Sequence, residues 1–278
     1  MRLLVGYDGS DGGRDALELT RVLGALTGAE ALVITVLPFG PLPITYALLG
    51  DEEASETEPL FEEARELLSG LEVETRAFGG GSPAGVMNDI AEREKVDMAV
   101  VGSPHRGAIG RALIGSVAEG LLHGAPCAVV AAPRGYAGER HEPFQLVAVA
   151  YDGTPESKLA LRRAEELALS AKAKIRVLTV SAPPVAVPGV VGYTPTIPPD
   201  ADQIVKEAVK SIDRELEAEG RELTGVPAVA LAEACEDGVD LLVAGSRHYG
   251  PMARALLGSV SSQLIHKAPC PVLVVPRP

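Results

Sequence analysis

The stretch "GSPHRGAIGRALIGS", Gly102 to Ser116, recurs 143 residues later as "GSRHYGPMARALLGS", Gly245 to Ser259, with nine of fifteen positions identical. Each copy follows a short Val-rich run, "DMAVV" or "DLLVA", and precedes an amphipathic run, "SVAEGLLHGA" or "SVSSQLIHKA". That reads as strand, glycine-rich loop, helix. Outward from the loops the duplication continues. Asp8 in "GYDGS" matches Asp152 in "AYDGT", Cys127 matches Cys270, and Pro133 matches Pro276. A period of domain size means two copies of one domain, not a solenoid. The copies are expected at 1–137 and 144–278, joined through "RGYAGERHEP", Arg134 to Pro143, which is rich in Gly, Pro and charge.

Within each copy, strands and helices alternate. "RLLVGY" and "LVAVAY" are first strands, and a helix follows each; Ser10 is placed to cap the first of them. "ALVITVL" and "KIRVLTV" are second strands. Asp51 to Ser69 reads as an acidic helix, and the second copy carries a helix to about Gly220 with a short third strand near "RELTG". "CAVVAAP" and "CPVLVVP" are fifth strands. Continuous Val, Leu and Ile runs mark strands buried on both faces, as in parallel sheets. The expected fold is α/β: two Rossmann-like doubly wound domains, each a five-stranded parallel sheet flanked by helices.

Bulk properties narrow the function. The chain has 278 residues, 46% of them apolar, and a net charge of −13. Duplex nucleic acid is a poor partner for such a surface. No apolar run reaches the length of a membrane span, and the start of the chain lacks a signal-peptide core, so a cytoplasmic location is expected. The three cysteines do not form a disulfide framework and read as small core residues. The paired histidines lack metal-ligand spacing, and no nucleophile with an adjacent base stands out.

In doubly wound sheets, ligands bind beyond the carboxyl ends of the strands. Two features of each copy land there: Asp8 or Asp152 after the first strand, and Gly115-Ser116 or Gly258-Ser259 at the mouth of a helix. Free N–H groups at a helix start hold phosphate well. Plain structure accounts for the same residues, since Ser116 with Glu119 makes a capping box and Asp-Gly is ordinary turn chemistry.

These residues resemble the universal stress protein family in its tandem two-domain form. "VGYDGS" and "VAYDGT", the two glycine-rich loops, and the "APCAVV" and "APCPVLVV" endings carry the resemblance. It implies a regulatory, non-enzymatic protein, one branch of whose family binds ATP or AMP, with or without Mg²⁺. By that resemblance Asp8 and Asp152 face the adenine, and Val36 and Val180 line its pocket. Gly102, Gly115, Ser116 and Val117 in the first copy then cradle phosphate, and Gly245, Gly258, Ser259, Val260 and Ser261 do so in the second. Gly107 and Gly250 keep the loops flexible at the two sites, and Arg247 adds positive charge to the second. His105 and His248 stand where the nucleotide-binding branch has its second glycine. Histidine keeps the backbone N–H, but its side chain strains a left-handed backbone or fills the groove. Pro104 removes a donor where the second copy has Arg247, so the second site is expected to bind better. An interaction module with degenerate sites is the alternative, and a weak nucleotide hydrolase a third reading. The resemblance also implies pairing along the fifth strands, here within one chain as a pseudo-dimer, with a homodimer as an extension.

Overall fold

A computed structural model describes residues 1–37, 47–48, 55–102, 116–181, 201–246 and 259–277. In the first half, β1 (Arg2–Gly6), β2 (Glu30–Leu37), β4 (Val73–Gly79), β5 (Met98–Gly102) and β6 (Ala128–Ala132) are parallel, in the order β4-β2-β1-β5-β6. A two-residue strand, β3 (Ala47–Leu48), adds antiparallel to β4. In the second half, β7 (Leu146–Ala150), β8 (Lys174–Ser181), β9 (Ala218–Thr224), β10 (Leu241–Gly245) and β11 (Val272–Val275) repeat the order as β9-β8-β7-β10-β11. The expected doubly wound halves are present.

The halves join edge to edge. β6 and β11 pair antiparallel, with Val130 opposite Leu273, and the whole forms one eleven-stranded sheet. Apolar edge strands left open invite aggregation, and pairing them covers both. Because the seam is antiparallel, the carboxyl ends of the two parallel halves open on opposite margins of the joined sheet.

Helices cover both faces. α1 (Asp11–Thr27), α2 (Glu58–Leu67), α5 (Pro155–Ala171) and α6 (Ala201–Ser211) bury one core with Leu3, Val5, Val147 and Val149. α3 (Pro83–Arg93), α4 (Ser116–Leu122), α7 (Pro227–Cys235) and α8 (Ser259–Lys267) bury the other with Leu4 and Ala148. Alternate residues of one strand feed opposite faces, the period of a strand. Each core runs unbroken across the seam, through Val130 and Leu273 on one face and Val129 and Val274 on the other.

Starts and stops follow local chemistry. Ser10 caps α1 by accepting from the Gly13 N–H, and Gly28, at φ +65°, ends the helix in the left-handed conformation. Ser82 caps α3 in the same way, with Pro83 in its first turn.

Two sequence expectations are corrected. The acidic helix begins at Glu58, after a 3₁₀ turn at Ser55–Thr57, and its expected residues 51–54 lie outside the described ones. The helix expected to reach about Gly220 stops at Ser211, and β9 is a seven-residue strand rather than a short one. "DRELEAEG" is rich in helix-forming Glu, Leu and Ala. Pairing overrides that preference. Asp213 turns the chain by accepting the Glu215 N–H, and β9 then runs in register with β8 from Ala218 to Thr224. Arg176 pairs with Glu219 at 2.5 Å across the two strands. Gly220 allows close helix contact, since a β carbon there would lie 2.1 Å from Val205 Cγ1.

The segment between the halves is anchored to α1. Asp15, 3% exposed, accepts the Gly135 N–H at 2.9 Å and the Ala137 N–H at 2.8 Å. Glu18 accepts the His141 N–H, and Arg21 donates to the His141 carbonyl. Tyr136 is buried and stacks on the His141 ring, with centroids 3.7 Å apart. Asp15, Glu18 and Arg21 recur every three residues, so one face of α1 reads the connecting segment.

Candidate functional site

At the carboxyl end of the first strand, both halves build the same turn. The Tyr7 N–H donates to the Ile34 carbonyl and the Tyr151 N–H to the Leu178 carbonyl. One residue along the second strand, Thr35 and Thr179 donate their hydroxyls to the carbonyls of Tyr7 and Tyr151, at 2.7 and 2.8 Å. The chain then leaves the sheet through an exposed aspartate, Asp8 or Asp152. Asp8 Oδ1 accepts the Ser10 N–H at 3.0 Å, and Asp152 Oδ1 accepts the Thr154 N–H at 3.1 Å and its hydroxyl at 2.5 Å. Gly9 and Gly153, at φ +78° and +80°, make the turn that a side chain would strain.

Val36 and Val180 stand one residue before the ends of the second strands, half-buried against the same core face as Val117 and Val260 in the first turns of α4 and α8. The structure therefore gathers each valine pair on one side of the sheet, beyond which the aspartate stands. Gly102 and Gly245 end β5 and β10. A β carbon on Gly102 would lie 1.7 Å from the Gly12 carbonyl oxygen, and one on Gly245 would lie 2.8 Å from the Glu156 carbonyl. These glycines admit the first turn of the helix that follows strand one, a packing role independent of any ligand. Ser261 is buried and donates its hydroxyl to the Gly245 carbonyl at 3.1 Å, tying α8 to the end of β10. Ser116 and Ser259 open α4 and α8. His105, Gly107 and Gly115, and Arg247, His248, Gly250 and Gly258, lie outside the described residues.

Two neighbouring features escaped the sequence reading. The Tyr7 hydroxyl is buried beside the Glu63 carboxylate. Burial and then the Glu63 carboxylate, itself paired with Arg14 at 2.7 Å, push its pKa up. In the second half, Glu156 in the first turn of α5 pairs with Arg277 at 2.8 Å, just past β11. Neither pairing is adjacent in sequence, so only the fold reveals it.

An open depression between Gly28, Glu30 and Gly70 lies at the amino ends of the first strands, away from the first aspartate. Among the described residues, no group of three or more His, Cys, Asp or Glu is placed to hold a metal ion. No described helix is long and apolar enough to cross a membrane.

The profile of the universal stress protein family matches residues 1–133 and again 143–276. A universal stress protein of Mycobacterium tuberculosis (strain ATCC 25618 / H37Rv) is 29% identical over 99% of this chain and 100% of its own length. A shorter one from Thermus aquaticus is 30% identical over 48% of this chain and 98% of its own. The crystal structure of a universal stress protein from Archaeoglobus fulgidus DSM 4304 shares the fold with a TM-score of 0.73 at 23% identity, covering 100% of this chain and 98% of that one.

Proposed function

The chain belongs to the universal stress protein family, and we propose that it is a regulatory member that holds ATP or AMP at the carboxyl end of each half. The observation that carries this reading is the repeated constellation of an exposed aspartate, a half-buried valine pair and a helix opening at serine. Each part suits one part of an adenine nucleotide. The carboxylate of Asp8 or Asp152 accepts from an amino or hydroxyl group. The valines offer apolar contact to a flat base. The helix start, preceded by glycine, offers N–H groups to phosphate. Mg²⁺ on the phosphates offsets repulsion from a chain of net charge −13.

In this reading the units are 1–137 and 144–278, and the second site binds more tightly because Arg247 stands where the first loop has Pro104. Nucleotide then acts through conformation or partner binding, not turnover. Calorimetry with ATP and AMP tests it. Asp152→Ala is expected to weaken binding about tenfold or more, the worth of a hydrogen bond to a charged group, and Asp8→Ala to change the weaker site. Binding unaffected by both substitutions contradicts the reading.

A second reading is an interaction module with degenerate sites, favoured by histidine in both loops where the nucleotide-binding branch has glycine. Purified chain that neither carries nor takes up nucleotide supports it.

A further inference from the structure

We infer that Thr154 is a positioning residue for the second site: its hydroxyl fixes one carboxylate oxygen of Asp152 and leaves the other to accept a donor group of the nucleotide. The inference rests on the proposed nucleotide site and adds a residue to it. Asp152 Oδ1 accepts twice from Thr154, from the N–H at 3.1 Å and from the hydroxyl at 2.5 Å. The second distance is that of a hydroxyl bonded to an ionised carboxylate. Among the described residues no donor reaches Asp152 Oδ2.

The hydroxyl is itself held in place. It has one proton to give and two lone pairs. The proton goes to Asp152, and the oxygen accepts the Ser157 N–H at 3.3 Å, which caps α5. Ser157 is buried and donates its own hydroxyl to the Thr154 carbonyl at 3.0 Å. The threonine methyl restricts rotation about the Cα–Cβ bond. Carboxylate, cap and helix start form one connected unit.

The duplication supplies an internal control. Ser10 stands in the place of Thr154, and Gly13 in the place of Ser157. Ser10 caps α1 by accepting the Gly13 N–H at 3.1 Å, and its own N–H donates to Asp8 Oδ1 at 3.0 Å. Among the described residues the Asp8 carboxylate receives that N–H alone. Gly13 has no room for a side chain, since a β carbon there would lie 2.8 Å from the Tyr7 ring and 3.2 Å from Asp8 Oδ1.

Both halves therefore cap the helix, and they differ in whether a side chain also ties the aspartate. The cap satisfies the helix without that bond. The extra bond falls on an exposed carboxylate, whose terminal torsion is otherwise broad. Ordering it before the ligand arrives removes a cost from binding. This favours the second site independently of Arg247.

Calorimetry with ATP on the full-length chain tests the inference, with the second site isolated by Asp8→Ala and the first by Asp152→Ala. In the Asp8→Ala chain, Thr154→Ser keeps a capping hydroxyl but loses the methyl that orients it. It is expected to weaken ATP about two- to tenfold, the range for ordering one side chain, with the urea midpoint unchanged. In the Asp152→Ala chain, Ser10→Thr is expected to tighten ATP by a similar factor, a gain that a purely structural role would not produce. A parent chain that takes up no ATP sinks the proposed site, and the inference with it. Where the parent binds ATP, three results overturn the inference alone: equal affinity in Thr154→Ser, a first site unmoved by Ser10→Thr, or a weakening accompanied by a lowered urea midpoint.

Discussion

Gly102 at the end of β5 and Gly12 in the first turn of α1 are in backbone contact, with no room for a β carbon on Gly102. Gly245 and Glu156 repeat the relationship less tightly. A glycine that a motif assigns to phosphate therefore has a packing duty first. Gly102→Ala is expected to destabilise the chain by about 3 kcal/mol or more, the upper range for overpacking, and Gly245→Ala by less. Urea unfolding of both variants checks this. A Gly102→Ala protein as stable as the parent would contradict the close approach.

Asp15 is the anchor of the connecting segment. Asp15→Ala leaves the N–H groups of Gly135 and Ala137 without their buried acceptor. The expected loss is about 2–3 kcal/mol, the scale of hydrogen bonds to a charged group. Trypsin should then cut the variant faster at Arg134 and Arg140, both exposed beside the turn. Unchanged cleavage and stability would show that the clamp is dispensable.

Acid should loosen the same clamp. Burial works to raise the Glu18 pKa, yet the Arg21 guanidinium and the His141 N–H outweigh it and hold the carboxyl below its usual 4.5. A folded pKa below the unfolded one stabilises the native state above the ordinary glutamate range. That contribution is lost as pH falls through the folded value. Glu18→Gln should therefore be less stable than the parent at neutral pH, and the gap should narrow below about pH 4.5. A gap constant across that window would contradict the assignment.

The β6–β11 seam should survive cutting the chain. Fragments 1–137 and 144–278, expressed separately, are expected to associate when mixed, because each otherwise exposes an apolar edge. Leu273, fully buried opposite Val130, is the test position. Leu273→Asp should abolish association in size-exclusion chromatography with light scattering. Fragments that remain monomeric without the substitution would show that the connecting segment, not the seam, holds the halves together.

The architecture was legible because its signals are periodic and doubled. Runs such as Leu3–Val5 and Leu241–Val243 are apolar throughout, and Ser10 marks a helix start by local chemistry. β9 was less legible because its side chains are mostly exposed and its composition favours helix. Its strand state comes from pairing with β8, a non-local cause. At the site, Asp8, Asp152 and the two glycines stood out through repetition. The obligation of Gly102 to Gly12, the tie from Ser261 to Gly245 and the pairing of Glu156 with Arg277 did not, because each joins residues distant in sequence.

The central claim is nucleotide binding by a chain with histidine in both loops. The most direct measurement is to purify the protein without added nucleotide, denature it, and identify what is released by chromatography and mass spectrometry. The account predicts ATP or AMP at roughly one to two per chain, falling on Asp152→Ala. Protein that releases no nucleotide, and that shows no heat of binding with either ATP or AMP, would contradict it.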